Sequence, residues 1–549
     1  MSFSSRRRNY LLTPHRRDGL IEWYVRLFVP FSDKATATSL LMVSFACVDV
    51  MSIDGFLFSS IFHIRMKNML QHSFVLDALE TTGADTFSHF EVLIEEHRRL
   101  GDSPQPSRLQ QLVPTIGMFH THLPLRDAFF IYNEKHRLTK RKHIQISFNE
   151  IRHILNLAQI MAMRTSQLED DIGNEEADGD KKKDPRSRTH RMMMSSADFN
   201  NDMISTEPTS DDDMDIMEKD NTAPPAQLNG PKLITFDGDQ TLYSDGANFD
   251  ENPRLANYLY LLLRHGVFVA IVTAAGYEYN VEKYEFRISG LLKYFAKRGL
   301  TATECERFYL FGGECNYLLR LGSDYHLHPV PEDGPGGWCN GTKHLQDGPA
   351  NWSEDHVKAL LDAAEDNANQ CVTELNLRGR VIRKRRAVGL VPLPDQEVTR
   401  ESLDETILRV QEKLHNMNDG KGPMLPFCAF NGGSDCWVDV GNKRVGVQVL
   451  QTYLGVEPAR TLHIGDQFLN TGNDYAARAC APCIWIINPK ETTYILKSIL
   501  RLAGVPFALP ANISLSPSLD FKEVERRSQA AAQMDVYTGE LLNKQQNKP

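Results

Sequence analysis

Seven residues at four separated points of the chain have the types and spacing for phosphoryl chemistry. Asp237 and Asp239 stand one residue apart in Thr-Phe-Asp-Gly-Asp-Gln-Thr (235–241), which ends on Thr241. Thr273 closes the apolar run 267–272, Lys443 follows Val-Gly-Asn, and Asp466 and Asp474 lie within Gly-Asp-Gln-Phe-Leu-Asn-Thr-Gly-Asn-Asp (465–474). Paired carboxylates can attack, carry a proton or hold a hard cation, while a lysine, hydroxyls and backbone amides can neutralise and grip phosphoryl oxygens. Gly238, between the two acids, lets the backbone approach a ligand closely. Taken singly, each has a plainer reading: an acidic surface turn, a helix cap at Thr273, a solvated Lys443. Their positions relative to strands decide between the two.

Leu233 to Phe236 is an apolar run cut off by Asp237, and 252–265 carries Leu255, Leu259, Leu262 and Leu263 on one helical face before Gly266. Val267 to Val272 is apolar on both faces. Strand, helix and strand with continuous apolar strands predict a parallel, doubly wound α/β sheet. Further strands are predicted at 307–311, 460–464 and 484–487, so the polar groups fall at successive strand ends. In an open parallel sheet those ends converge on one crevice.

The remaining chain divides by composition. Residues 1–163 read as an α-rich N-terminal domain, with helical patterns at 85–100 and 149–160. Residues 164–229 are charge-rich and poor in β-branched and aromatic residues, which predicts a disordered linker. The core occupies 230–311 and resumes at 433–511, from Trp437 and Asp439 into a helix that starts near Lys443. Between them, 312–432 reads as an α+β insertion, and 512–549 as a tail with an amphipathic portion at 521–534.

The net charge of -10 sets nucleic acid and anionic membrane aside as main partners. Nine cysteines, an odd number without regular spacing, form no disulfide framework and favour a reducing, cytoplasmic setting. Cys480-Ala-Pro-Cys483 has no second pair and leads into an apolar run, which indicates packing rather than metal binding. The apolar stretch 39–64 is interrupted by Asp49, Asp54 and Gly55, which fits a buried or inserted segment better than a membrane span. A basic and aromatic run from Arg126 to His143 suits either a solvated face or an anion or nucleotide site.

The four strand-end motifs, DxDxT, Thr, Lys and GDxxxxxxD, resemble in kind and order those of the haloacid dehalogenase superfamily of phosphohydrolases, over Lys232 to about Pro489. The resemblance implies a Rossmann-like core with a type 2 cap. Longer runs at 235–246, 311–318, 386–392 and 465–474 are similar to the IMP-specific 5'-nucleotidase family, and the likeness extends to the helix at 149–160. Relative to that family's compact pattern, 32–71 and 164–229 look like insertions.

The resemblance implies hydrolysis of IMP to inosine and phosphate, within purine nucleotide metabolism. Asp237 would be the nucleophile that forms an aspartyl-phosphate, Asp239 the acid and then base, and Lys443 the neutralising cation. Magnesium (Mg2+) would be held by Asp237, the Asp239 carbonyl and Asp466. Thr273 and the amides of Gly238 and Asp239 would grip the phosphoryl group, and Asp245 and Asp474 would orient the ligands. Trp437 and Asp439 match positions the family uses near the substrate. For the base, the candidates are Arg287, Glu314, Asn316, Arg383, Arg386 and Tyr475. The family further implies a homotetramer activated by ATP, with Arg137, Arg141, His143, Arg152 and His153 as candidate effector contacts. Other readings of the same motifs are a phosphohexomutase-like protein, another small-molecule phosphatase, or a catalytically silent nucleotide-binding protein.

Overall fold

The computed structural model describes residues 83–175 and 227–505, apart from short gaps at 102, 104, 114–115, 137, 139–147, 245, 250–251 and 470, together with two short strands at 533–534 and 541–542. The apolar stretch 39–64, the segment 32–71, Asp245, Arg137, Arg141 and His143 lie outside the described residues, as does nearly all of the tail. Among the described residues no helix is long and apolar enough to cross a membrane.

The chain divides into two units. The described part of the first holds α1 (Gly83–Leu100), α2 (Arg108–Leu112), α3 (Leu125–His136) and α4 (Phe148–Glu175) as far as Ala162, besides the paired strands 533–534 and 541–542. Phe87, Phe90, Ile94, Phe129, Ile151 and Ile154 form its core. Helix α4 corrects the expected linker boundary, because its backbone continues through 164–175.

In the second unit, β1 (Leu233–Phe236) leads to α5 (Pro253–Arg264) and β2 (Phe268–Val272). Asn252 caps α5 by accepting from the Leu255 amide, and Pro253 occupies the first turn, where a missing N–H costs nothing. Next come α6 (Val281–Arg287), α7 (Ser289–Arg298) and β3 (Phe308–Gly312), and after them β4 (Tyr317–Leu321) and β5 (Leu327–Pro329). Helices α8 (Glu354–Glu374) and α9 (Arg400–His415) flank strands β6 (Gly379–Arg383) and β7 (Ala387–Pro392), and β8 (Phe427–Asn431) and β9 (Cys436–Val440) follow. The chain ends with α10 (Lys443–Leu454), β10 (Thr461–Gly465), β11 (Cys483–Trp485) and α11 (Pro489–Leu502).

The core sheet has the order β11-β10-β1-β2-β3-β4-β5. Its first five strands are parallel, and β4 and β5 add an antiparallel edge. Strands β6-β7-β9-β8 form a separate antiparallel sheet, covered on one face by α8 and α9. The two domain boundaries read from sequence therefore move. Residues 317–329 extend the core sheet, and Trp437 and Asp439 lie on a cap strand, because backbone pairing rather than the polar motif decides which sheet a strand joins.

Alternation along β1 sends Leu233, Thr235 and Asp237 to one face. Leu233 packs there with Val445 and Val449 of α10, so the helix that begins with Lys443 covers the face to which Asp237 belongs. Gly441 (φ 83) turns β9 into that helix at a place where a side chain would collide with the Cys315 thiol. The cap sheet and the helix of Lys443 are thus joined by two residues.

Candidate active site

Lysine at a helix N-terminus opposes the helix dipole. Lys443 is nonetheless fully buried there, with its Nζ 2.7 Å from Asp237 Oδ1 and 2.6 Å from Asp474 Oδ1. Burial lowers the lysine's proton affinity, but the two carboxylates outweigh it and hold Lys443 well above the usual lysine range. Asp237 is also buried. Desolvation raises its carboxyl, with Lys443 pulling down and Asp474 and Asp239 pushing up, to a value of about 7. Asp474 goes the other way: burial raises it, but the Lys443 charge and the His463 hydrogen bond prevail and hold it well below the ordinary carboxylate range.

His463, which the sequence reading did not single out, braces Asp474. Its Nε2 lies 2.9 Å from Asp474 Oδ1 and its Nδ1 lies 2.8 Å from Thr235 Oγ1. A neutral ring with the proton on Nε2 donates to Asp474 and accepts from the Thr235 hydroxyl, and burial lowers the His463 pKa in agreement with that neutral form. The signal was present, since Thr235 and His463 are polar residues inside two otherwise largely apolar strands and face each other in register.

Asp239 is gripped by Arg287, whose Nη2 lies 2.6 and 2.8 Å from its two oxygens, and it also accepts from the Gly246 amide at 3.0 Å. The Arg287 guanidinium lies 4.9 Å from the Tyr243 ring centroid. Thr273 Oγ1 accepts from the Ala275 amide at 3.1 Å, which leaves its hydrogen to donate. A Cβ at 238 would stand 2.5 Å from the Tyr243 hydroxyl oxygen and 3.4 Å from Thr273 Oγ1, so Gly238 packs tightly where these groups meet. Its amide donates to Asp237 Oδ1 at 2.7 Å.

Asp237, Asp466 and Asp474 are all buried, and one oxygen from each lies within 4.8 Å of the others. Of these three buried carboxylates Asp237 and Asp474 share one Lys443, which leaves excess negative charge, and hard oxygen donors suit a hard divalent cation. Asp474 is the least available ligand, because Oδ1 accepts from Lys443 and His463 while Oδ2 accepts from the Gln467 amide at 2.8 Å.

Glu314 sits at φ 64, a left-handed conformation that disfavours a side chain. It is fully buried, its Oε1 accepts from Asn473 Nδ2 at 3.0 Å, and no hydrogen-bond partner reaches Oε2. Burial raises its carboxyl well above the ordinary range, against the pull of Lys443. Asn316 braces the hinge by donating to the carbonyls of Gly313 and Val440 at 2.7 and 2.8 Å. Asp439 is buried, and desolvation, opposed by Lys384 and aided by Asp435, moves its carboxyl to about 7.

The remaining candidates have these contacts. Arg383 pairs with Asp362 and Glu365 of α8 at 2.9 Å each, and Arg386 pairs with Glu354 at 2.7 Å. Tyr475 lies under Arg478, whose guanidinium is 5.3 Å from its ring centroid. In the first unit, Arg152 and His153 are buried within the helical core, with Arg152 Nη2 3.0 Å from His153 Nε2.

A parallel core with Asp237 and Asp239 after its central strand, Thr273 after the next, and Lys443 and Asp466 converging from later elements defines a haloacid dehalogenase-type phosphohydrolase. A family model described as IMP-specific 5'-nucleotidase matches residues 3–182 and 186–496, a span that includes 32–71. The chain belongs to the IMP-specific 5'-nucleotidase family. It is 33% identical over 498 residues to the Yarrowia lipolytica protein named IMP-specific 5'-nucleotidase 1, covering 89% of this chain and 96% of that one. A mutant Plasmodium falciparum IMP-nucleotidase with IMP bound superposes with a TM-score of 0.60 at 32% identity, covering 80% of this chain and 93% of that one. The ATP-bound form of the Plasmodium enzyme gives 0.58 at 30% identity, covering 86% of this chain and 94% of that one.

Proposed function

We propose that this protein hydrolyses IMP to inosine and phosphate with Mg2+ as cofactor. The observation that carries the reading is the buried contact of Lys443 with Asp237 at the end of the central strand. With Oδ1 tied to Lys443 and the Gly238 amide, Asp237 attacks the 5'-phosphorus through Oδ2 and forms an aspartyl-phosphate. Thr273 and the Asp239 amide hold phosphoryl oxygens, and Lys443 offsets the charge that gathers there. Asp239 gives its proton to the departing ribose oxygen and then takes one from the water that hydrolyses the intermediate. Arg287 holds the ionised form that activates this water, and donation in the first step requires that pair to open. Asp237 and Asp466, with the Asp239 carbonyl, would hold the cation, and Asp245 and Asp474 orient this arrangement. A bound divalent cation supplies positive charge that keeps Asp237 ionised and polarises the phosphate.

The test is phosphate release from IMP, AMP, GMP and mannose 1-phosphate by the purified protein with Mg2+. Release from IMP well above the others supports the reading, and mannose 6-phosphate as a product would favour a mutase. We further infer a homotetramer activated by ATP in the cytoplasm. Family membership and the ATP-bound Plasmodium structure support the effector, and eight free cysteines among the described residues support a reducing compartment.

A further inference from the structure

Strand alternation gives the cap sheet two faces. Val388, Leu390, Val438 and Val440 pack with α8 and α9, so Gly389, Trp437 and Asp439 point the opposite way. That second face looks toward the core, since Asp439 is close enough to Glu314 to push its carboxyl up. On it, Gly389 lies opposite Trp437 in register. A Cβ at 389 would come within 2.5 Å of indole atoms Cε3 and Cζ3, so the ring rests on bare backbone. Lys384 also lies over the ring, its Nζ 4.1 Å from the ring centroid.

Lys384 follows β6 directly, and its amide donates to the Ala387 carbonyl at 2.7 Å in the turn to β7. Alternation places it on the face opposite Arg383. Arg383 and Arg386 are held in ion pairs at 2.9 and 2.7 Å, whereas Lys384 is set against an aromatic plane, near enough to Asp439 to draw its carboxyl down. A flat indole backed by glycine is a stacking surface for a purine, and an ammonium beside it has three donors and no acceptor. It complements a carbonyl oxygen at position 6 and repels an amino group there, whose own hydrogens are donors.

We propose that Lys384 is the residue that selects a 6-oxopurine: the base stacks on Trp437 and Lys384 moves from the ring face to donate to the 6-carbonyl oxygen. This rests on IMP as the substrate and names what reads its base. It distinguishes IMP from AMP but not from GMP, which shares the 6-oxo group.

The experiment compares the wild-type protein with Lys384→Met, which keeps an unbranched side chain and removes the donor. Values of kcat/KM are measured for IMP, GMP, AMP, purine riboside 5'-monophosphate, which has no group at position 6, and p-nitrophenyl phosphate. The expected result is a loss of roughly 10- to 100-fold for IMP and GMP, the size associated with losing a charged hydrogen bond. That loss should lie mainly in KM, with AMP, purine riboside monophosphate and p-nitrophenyl phosphate changed by less than about threefold. An unchanged IMP-to-AMP ratio, or an equal loss on every purine substrate, overturns the role of Lys384. A wild-type protein that splits p-nitrophenyl phosphate but not IMP overturns the substrate reading itself, and this proposal with it.

Discussion

Asp474 and Lys443 are joined at 2.6 Å, and neither side chain has any exposed surface. Asp474 balances an ammonium that also binds Asp237, so it governs how much positive charge the nucleophile receives. Removing one partner of a buried pair leaves an uncompensated charge at a cost of about 3–5 kcal/mol. Asp474→Asn is therefore expected to lower unfolding stability by that order and to reduce phosphate release from IMP. Urea unfolding followed by far-UV circular dichroism at pH 7.5 checks it. Wild-type stability would show that Lys443 is satisfied by Asp237 alone.

Asp237→Asn separates catalysis from folding. The carboxyl is raised to about 7 by burial, so the native state gains little from its ionisation near neutrality, and an amide preserves its shape. Lys443 keeps Asp474 as its counter-charge, so the variant is expected to fold and to lose less stability than Asp474→Asn, while turnover falls by more than ~1,000-fold, since no other group forms the aspartyl-phosphate. A variant that fails to fold would make Asp237 a structural acid.

Arg287 was one candidate for reading the base, and the structure binds it instead to both oxygens of Asp239. A positioning residue for the acid and base should act on kcat. Both contacts come from the single nitrogen Nη2, and Arg287→Met removes them with the charge while keeping an unbranched side chain. This variant is expected to lower kcat about 10- to 100-fold, the range of one general acid–base group imperfectly placed, with the IMP-to-AMP ratio unchanged. Loss of that ratio with kcat intact would return Arg287 to the base.

What was legible in the sequence follows from what local pattern encodes. Asp237, Thr273, Lys443 and Asp466 were readable because each ends or begins an element whose apolar run is unmistakable, and parallel topology gathers such ends. The cap boundary was not, because β9 runs within two residues into the helix of Lys443, and only pairing with β7 and β8 assigns it to the cap. The basic run 383–386 was readable as charge but not by residue. Which of its members faces α8 and which faces Trp437 depends on strand register. Glu314 was a candidate for the base by its motif alone, and its contact with Asn473, its left-handed backbone and its burial are facts that composition does not carry.

The effector inference has a direct readout. If ATP favours the active form, added ATP should raise the rate at subsaturating IMP, with less effect at saturation when it acts through substrate affinity. Initial rates across an ATP series check this. A rate independent of ATP at every IMP concentration counts against the effector.

Glu314 offers a test that depends on pH. Its folded carboxyl is held above the unfolded value of 4.5, chiefly by burial, so the native state favours the proton. The stability it contributes is present in full below about 4.5 and is lost as pH rises toward and through the folded value. Glutamine mimics the protonated acid and keeps an oxygen for Asn473, but it does not titrate. The difference in Tm between Glu314→Gln and the wild-type protein should therefore be small near pH 5 and grow in favour of the variant toward pH 8. Groups common to both proteins cancel in that difference. A constant offset across the range would mean that Glu314 is ionised in the folded protein, with Lys443 rather than a proton as its counter-charge.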